Sequence, residues 1–296
     1  MKNDQILSLF EQINVWTRGD QRAPHKPLLL LIALGKCSRN EERLIPYREV
    51  DGTLRPLLVE FGPSRRSYHP EYPFWRLQND GLWELTETND LERRSSSTDA
   101  KKSELLRLNV HGGLTESVFR ALNNDHDLLI DAVDLLLEGN FPTSLHADIC
   151  NAVGIDRERF IISKRRKRDP GFRLRVLTAY SYRCAICGFD MRLGQQIIGL
   201  EAAHIKWHQA GGPDSIENGL SLCVLHHKLF DLGAFTVSDA QQILVSDLVH
   251  GYKGADEWMI RYHQGPLFAP QNPLDSPESE FLRWHRREVF KGTSRY

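Results

Sequence analysis

The amino-acid sequence predicts an α+β protein, with a mainly helical N-terminal domain that carries a small hairpin or sheet and a C-terminal domain that contains zinc. Apolar residues recur at helical spacing near the N-terminus, at Ile6, Phe10 and Ile13. A turn sequence at residues 79–81 precedes a short strand pattern at residues 82–85. Two pairs of metal-type residues lie in the second half of the chain, between Cys184 and His226.

Composition excludes several classes of protein. The chain has 296 residues, with 38 basic against 39 acidic side chains and a net charge of -1, so a nucleic acid would have to be held by local basic patches. The longest apolar run, residues 27–34, is too short to cross a membrane, and the N-terminal stretch is amphipathic rather than signal-like. Five cysteines in such a chain disfavour a disulfide framework. We therefore expect a cytoplasmic protein with no membrane partner.

The first half of the chain is predicted to be mainly helical. Proline at its start and Gly35 at its end indicate a short, fully buried helix over residues 27–34. The other elements expected here are a helix over residues 54–61 that stops at Gly62-Pro63, a structured loop over residues 64–77 leading into a short strand, a hairpin closed by the turn at residues 79–81, and helices over residues 104–152.

A basic run divides the chain. Residues 164–168 are five consecutive lysines and arginines, and Pro170-Gly171 follows them. This run is either a solvated linker or an arm that contacts a nucleic-acid backbone. The predicted organisation is a first domain over residues 1–162, a basic linker over residues 163–171 and a second domain over residues 172–296.

The second domain contains two pairs of soft metal ligands. Cys184 and Cys187 form one pair, and Cys223 and His226 form the other. Two close pairs of sulfur and nitrogen donors suit a tetrahedral Zn²⁺ ion, and four protein ligands leave no position for water, so this zinc would be structural. The alternatives are unpaired buried cysteines, or a site in which His227 replaces its neighbour.

A second set of polar residues lies within the zinc frame. His204 follows a strand pattern at residues 197–201, and Asn218 and His227 come after it. If residues 224–231 are helical, Asp231 lies on the same helix face as His227. One imidazole and one carboxylate on that face can bind a divalent cation and leave positions open for water and phosphate oxygen.

This set of residues resembles the HNH endonuclease family, which has the ββα-metal fold, over about 60 residues from Tyr180. The resemblance implies that His204 is the general base, that Asn218 fastens the loop that orients it, and that His227 ligates a catalytic Mg²⁺ or Mn²⁺ ion. Asp231 matches a further ligand position.

One position departs from the family pattern. Many HNH nucleases have an acidic or histidine ligand directly before the base, whereas this chain has Ala203. Glu201 is two residues further back, and on a strand it would face away from His204, so we do not expect it to substitute directly. Asp231 would then be the main anionic ligand.

The first half of the chain resembles the sulfur-binding domain of McrA-like, phosphorothioation-dependent restriction endonucleases, which also carry a C-terminal HNH nuclease. The resemblance rests on four motifs: residues 22–31 (Arg-Ala-Pro-His-Lys-Pro followed by four leucines), residues 61–63 (Phe-Gly-Pro), residues 72–77 (Tyr-Pro-Phe-Trp-Arg-Leu) and residues 80–85 (Asp-Gly-Leu-Trp-Glu-Leu). It implies a DNA-reading first domain whose partner is double-stranded DNA with a phosphorothioate backbone.

Sulfur in the backbone is larger, more polarisable and a weaker hydrogen-bond acceptor than the oxygen it replaces. A shallow apolar cavity flanked by basic groups would therefore select it. The side chains expected to contact DNA are His25, Lys26, Arg65, Arg66, Ser67, Tyr68, His69, Pro70, Tyr72, Pro73 and Arg76.

Within that set, the loop with Arg65, Arg66 and Ser67 is the candidate for reading bases in the major groove, and a merely solvated arginine pair is its rival. Tyr68, His69, Pro70 and Tyr72 are placed nearer the surface. The large aromatic side chains of Phe74, Trp75 and Trp83 are expected mainly in the core.

The sequence therefore predicts a modification-dependent, type IV-like restriction endonuclease. Two alternatives stay open: an HNH nuclease that reads modified cytosine by flipping the base, and a zinc-stabilised DNA-binding module whose nuclease centre has decayed. One HNH centre cuts one strand at a time, so double-strand cleavage would require a homodimer or two binding events.

Overall fold

The computed structural model describes residues 3–15, 20–86, 88–92, 99–156 and 170–295. The chain divides into two compact units, Met1–Ser163 and Lys164–Tyr296. Most of the basic run predicted as a linker, residues 163–169, lies outside the described residues. In the described part of the chain, no helix has the length and apolar character needed to span a bilayer.

The first unit is a helical assembly with one small sheet. Its helices are α1 (Asn3–Glu11), α2 (His25–Ser38), α3 (Tyr47–Phe61), α4 (Glu71–Arg76), α5 (Lys102–Arg107), α6 (Glu116–Asn124), α7 (His126–Asn140) and α8 (Thr143–Val153). Its strands are β1 (Leu44–Pro46), β2 (Trp83–Leu85) and β3 (His111–Leu114), and β3 lies between the other two with antiparallel pairing on both sides.

Helix α2 is the centre of this unit. It contacts α3, α4, α6, α7 and α8. Its leucines Leu28 to Leu31 are fully buried, as the sequence predicts for this run. The predicted end at Gly35 is wrong, because the helix continues to Ser38. Gly35 has a packing role instead: a Cβ atom there would lie 2.1 Å from the carbonyl oxygen of Val153 at the end of α8.

Three predictions around the small sheet are wrong. The loop expected over residues 64–77 contains helix α4, in which Pro73 occupies the first turn, where a missing N–H costs no intrahelical hydrogen bond. The expected hairpin is absent, because β2 pairs with the distant β3. Strand β3 also interrupts the region predicted as helical over residues 104–152, and its Gly112-Gly113 centre carries no strand signal.

The second unit is built around a ββα arrangement. Its helices are α9 (Pro170–Ala179), α10 (Val224–Asp231), α11 (Lys253–Trp258) and α12 (Ser279–Glu288). Its strands are β4 (Arg192–Leu193), β5 (Gln196–Ile197), β6 (Leu200–His204), β7 (Gly219–Cys223), β8 (Phe235–Val237) and β9 (Ile243–Val245), which form three two-stranded antiparallel sheets.

Strands β6 and β7 and helix α10 position the polar residues predicted from the sequence. The register pairs His204 with Gly219 at one end and Leu200 with Cys223 at the other, and α10 begins directly after Cys223. Helix α9 contacts both strands, and its Phe172 and Val176 belong to the buried core. The α+β class predicted from the sequence is confirmed, including the helix over residues 224–231.

We expect Gly35→Ala to destabilise the protein by about 1–3 kcal/mol, because the added methyl group forces α2 away from the end of α8. Gly52→Ala in the exposed part of α3 is the matched control, since nothing lies within 4 Å of its Cβ position. That substitution should stabilise by about 0.4–1 kcal/mol. Urea unfolding followed by circular dichroism measures both, and equal stabilities of the two variants would contradict the close packing of α2 on α8.

Candidate functional site

The four predicted zinc ligands converge on one point. One ligand atom from each of Cys184, Cys187, Cys223 and His226 lies within 4.8 Å of the others. The Nε2 atom of His226 is 2.8 Å from the carbonyl oxygen of Trp258 and donates to it, which turns Nδ1 toward the thiols, 3.2 Å from the sulfur of Cys223. Hydrogen bonds from the thiols of Cys184 and Cys187 hold the pKa of Cys223 far below its usual range. A thiolate in an S₃N set fits zinc chemistry, so this cluster could hold a metal ion.

His204 lies at the end of β6 with its ring in a defined orientation. Its Nε2 atom is 2.7 Å from Oδ1 of Asp214, and the ring stacks on Phe172 with 4.1 Å between ring centroids. About a quarter of the side chain is exposed. Burial lowers the pKa of His204, and the hydrogen bond to Asp214 opposes that effect. The imidazole is therefore mainly neutral near pH 7, as a general base requires.

Asn218 is fully buried and closes the loop between β6 and β7. Its Oδ1 accepts from the backbone N–H of Lys206 at 2.8 Å, and its Nδ2 donates to the carbonyls of Lys206 and Pro213 at 3.0 and 2.9 Å. These three hydrogen bonds join Asn218, at the end of the loop, to Lys206 near its start and to Pro213 in its middle. Asn218 therefore restrains the loop. The fixed loop places Asp214, the residue after Pro213, against His204.

His227 lies between two carboxylates. Its Nδ1 is 2.6 Å from Oε2 of Glu201, and its Nε2 is 3.2 Å from Oδ2 of Asp231. Burial alone would lower the pKa of His227, but the charges and hydrogen bonds of Asp231 and Glu201 raise it to about 10. Glu201, which is not expected to replace the ligand missing at position 203, reaches the His227 ring from β6. The Nε2 atom of His227 and the carboxylate of Asp231 beside it are borderline and hard donors that suit Mg²⁺ or Mn²⁺.

His227 does not belong to the cysteine cluster. Both of its ring nitrogens face carboxylates, whereas those of the adjacent His226 face Trp258 and the thiols. Neighbouring residues on a helix point about 100° apart, so one turn of α10 supplies both sites. Ala203 is fully buried, which leaves no polar group at the position directly before His204.

In the first unit, several residues predicted to contact DNA form a connected row beside α4. The hydroxyl of Ser67 is 2.9 Å from Nε2 of His69, the His69 ring lies 5.1 Å from the Tyr72 ring, and the guanidinium of Arg76 lies 4.8 Å from the centre of that ring. The buried carboxylate of Glu71 is 3.0 Å from Nδ1 of His69. This contact makes Nδ1 a donor and Nε2 an acceptor for the Ser67 hydroxyl.

The remaining predicted DNA contacts differ in exposure. Arg65 and Arg66 are exposed, as a base-reading loop requires, and Tyr68 is half-buried. Pro70 lies directly before α4 and Pro73 lies within it, and both are buried. The prediction that Pro70 lies near the surface is therefore wrong. The core placement of the three large aromatic residues is confirmed by the low exposure of each: Phe74, Trp75 and Trp83.

Three of the predicted basic residues are tied to partners or buried. Lys26 forms an ion pair with Asp80, and both side chains are largely buried. Arg76 is held by Asp99 through two hydrogen bonds of 2.8 and 2.6 Å. The pKa of His25 is lowered to about 4 by burial, by the charge of Arg65 and by His69.

Comparison with known proteins decides the family. Residues 3–158, which are more than half of the chain, match the family described as ScoMcrA-like, DNA sulfur-binding domain. The chain belongs to this family. Residues 184–238 match the HNH endonuclease family, and that segment contains the cysteine cluster, His204, Asn218 and His227. Both resemblances seen in the sequence are therefore confirmed, and we call the two parts the sulfur-binding domain and the HNH domain.

Solved structures that are similar include the sulfur-binding domain of ScoMcrA complexed with phosphorothioated DNA, at 22% identity and a TM-score of 0.45, over 50% of this chain and 94% of that one. The sulfur-binding domain of SprMcrA complexed with phosphorothioated DNA is similar at 19% identity and a TM-score of 0.44, over 52% and 95%. The type IV phosphorothioation-dependent restriction endonuclease ScoMcrA is similar at 22% identity and a TM-score of 0.42, over 50% of this chain and 32% of that one. A comparison with curated proteins gives no match.

Sequence reasoning missed four acidic residues of these sites. Glu71 and Asp99 hold the row of the sulfur-binding domain, and Glu201 and Asp214 contact the two histidines of the HNH domain. The sequence does give a signal for Asp214, because Gly211-Gly212-Pro213-Asp214 is a turn between the first histidine and the asparagine. For Asp99 the sequence gives no signal, since the partner lies 23 residues away.

The low pKa of His25 predicts a pH dependence of stability. The folded protein favours the neutral imidazole, whereas the unfolded chain takes up a proton at His25 below pH 6.5. The contribution of His25 to the free energy of unfolding is therefore fully present above pH 6.5 and is lost as the pH falls toward 4. Since the side chain is partly exposed, we expect a contribution of about 1–2 kcal/mol. Urea unfolding between pH 7 and 4 should show a shallower loss for His25→Gln than for the wild type. The exposed His126→Gln is the control, and identical slopes for all three proteins would contradict the burial of His25.

Proposed function

We propose that this chain is a type IV-like, modification-dependent restriction endonuclease that binds phosphorothioated double-stranded DNA and hydrolyses phosphodiester bonds near the mark. The observation that carries the proposal is the presence of a ScoMcrA-like sulfur-binding domain at residues 3–158 and an HNH endonuclease domain at residues 184–238 in one chain. A reading domain supplies the selectivity that a nuclease centre lacks by itself.

The surface beside α4 supports the DNA-reading role. Exposed arginines Arg65 and Arg66 can contact the phosphate backbone or a guanine edge, and the half-buried Tyr72 and His69 rings lie next to the same loop. An apolar ring edge beside a cation is an environment that favours a poorly hydrated, charged sulfur over a well-hydrated oxygen.

The HNH domain has two groups of metal-type residues, and they would play different roles in hydrolysis. The cluster of Cys184, Cys187, Cys223 and His226 would hold a structural Zn²⁺ ion, since four protein ligands complete its tetrahedron. His227, through Nε2, and Asp231 would hold the catalytic Mg²⁺ or Mn²⁺ ion, and Glu201 contacts the opposite ring nitrogen, Nδ1. When bound, that ion supplies positive charge to the phosphate and to the leaving oxygen.

His204 would act as the general base, and Asn218 would hold the loop that orients it. The neutral imidazole takes a proton from the attacking water on the side of its free nitrogen. A single HNH centre cuts one strand, so two copies are needed for a double-strand break, either as a homodimer or in successive binding events.

A comparison of matched duplexes tests the reading role. We expect cleavage of a phosphorothioated duplex in Mg²⁺ or Mn²⁺, and much weaker cleavage of the same sequence when it is unmodified or carries methylated or hydroxymethylated cytosine. The reason is that the selected atom lies on the backbone rather than on a base. Preferential cleavage of the modified-cytosine duplex would identify a base-flipping reader instead.

The buried Ala203 favours one second candidate, a DNA-binding module with a decayed nuclease centre, because no carboxylate lies directly before the base. The same duplexes separate the two functions. Binding of the phosphorothioated duplex without cleavage in Mg²⁺, Mn²⁺, Ni²⁺ and Co²⁺ would support the decayed module. Cleavage in any of these ions supports the nuclease.

His204→Ala is expected to reduce cleavage by at least about 10²–10⁴-fold, because the attacking water loses its base. Binding of the phosphorothioated duplex and the zinc content, measured by atomic emission, should stay at the wild-type level. His204 is not a member of the cysteine cluster, and the proposed DNA-reading residues belong to the other domain. His250→Ala, at an exposed histidine of the same domain, is the control. Full cleavage by the His204 variant would remove the assignment of the base.

A further inference from the structure

We propose that Asp214 is a positioning residue of the nuclease centre: its carboxylate fixes the His204 imidazole with a proton on Nε2, so that the lone pair on Nδ1 faces the attacking water. The inference rests on the proposed nuclease function and adds to it an acidic partner for the base. The decisive contact is the 2.7 Å distance between Nε2 of His204 and Oδ1 of Asp214.

The chemistry of the two groups sets the tautomer. An ionised carboxylate only accepts hydrogen bonds, so the ring nitrogen that faces it must carry the proton. In a neutral imidazole the other nitrogen is then the acceptor. Among the described residues no hydrogen-bond partner lies at Nδ1 of His204, and this nitrogen is therefore available to a water molecule.

Two hydrogen bonds to backbone carbonyls hold the loop at Asp214. Asn218 donates to the carbonyl of Pro213, the residue before it, and Arg175 of α9 donates to the carbonyl of Asp214 at 3.0 Å. Gly212 allows the loop to pass close to the strand end, because a Cβ atom there would lie 1.9 Å from the carbonyl oxygen of Lys206. The buried asparagine of the HNH centre thus acts on His204 through Asp214.

The other neighbours of His204 do not replace this contact. Phe172 stacks on the ring and restricts its tilt, but it cannot select a tautomer. His208 lies with its ring centroid 6.2 Å from that of His204, and its Nδ1 is 3.9 Å from the same Asp214 oxygen. Asp231 acts on His204 only by its charge. Asp214 is the one described group that both orients the ring and stabilises its charged form.

The hydrolysis step moves one proton to His204 and exchanges one P–O bond for another. Nδ1 of His204 takes one proton from water as the water oxygen forms a bond to phosphorus. The bond from phosphorus to the 3′ oxygen breaks, and that oxygen takes a proton from solvent. The imidazolium that forms is paired with the negative charge of Asp214, and it returns its proton to solvent before the next turnover.

Two variants of the full-length protein test the role of Asp214. Asp214→Ala removes the carboxylate, and Asp214→Asn keeps its shape without its charge. We expect kcat on a phosphorothioated duplex to fall about 10- to 100-fold in both, with KM and duplex binding unchanged, which is the usual size of effect for a partner that orients a catalytic histidine. The exposed Asp256→Asn in α11 is the matched control and should cleave at the wild-type rate.

A spectroscopic readout tests the contact without relying on cleavage. In ¹⁵N-histidine-labelled protein, with the His204 signals assigned by their loss in His204→Ala, the wild type should show Nε2 as the protonated nitrogen and Nδ1 as the unprotonated one. Asp214→Ala should show averaged tautomers or their inversion. The same fixed tautomer in wild type and Asp214→Ala, or wild-type kcat in both Asp214 variants, would overturn the proposal.

The two readouts also separate the failure of this proposal from that of the proposed function. If the wild type shows no preference for phosphorothioated DNA but the tautomer is fixed by Asp214, the reading role fails and the inference about Asp214 stands. If cleavage depends on phosphorothioation but the tautomer does not depend on Asp214, the proposed function stands and this inference fails.

Discussion

The antiparallel pairing of β6 with β7 is the contact on which the geometry of the HNH domain depends. Its register places His204 opposite Gly219 and Leu200 opposite Cys223, so His204 lies at one end of the pair and the cysteine cluster at the other. A shift of one residue would turn Ala203 out of the core and move His204 to the opposite face. Both metal-type sites are therefore set by a single strand pairing, which the buried side chains of Leu200, Leu220 and Leu222 stabilise.

Residue type and spacing alone were sufficient to predict the cysteine cluster and the histidines of the HNH domain. Paired cysteines and histidines next to a predicted strand end stand out in the sequence, and the four cluster ligands meet at one point. The spacing of His227 and Asp231 places them on one face if residues 224–231 are helical, and these residues do form α10. These signals are local, and local signals are what a single sequence contains.

The acidic partners could not be predicted, because they are defined by tertiary contacts. Glu201 lies on β6 and contacts His227 on α10, 26 residues away in the chain. Asp99 lies outside the helices and strands and contacts Arg76 on α4, 23 residues away. Carboxylates are common along the whole chain, so only their positions in the folded protein distinguish these from the others. The hairpin prediction is wrong for the same reason. Strand β2 pairs with the distant β3, whose glycine-containing sequence has no strand pattern.

One turn of α10 carries His226, which faces the thiols of the cysteine cluster, and His227, which faces two carboxylates. A metal ion held by the cluster would therefore fix the helix that carries His227, and its loss would release that helix. The sulfur-binding domain forms a compact unit of its own, so its fold would not depend on that ion. Under the proposed function, a protein without the ion would still bind phosphorothioated DNA but would no longer cleave it.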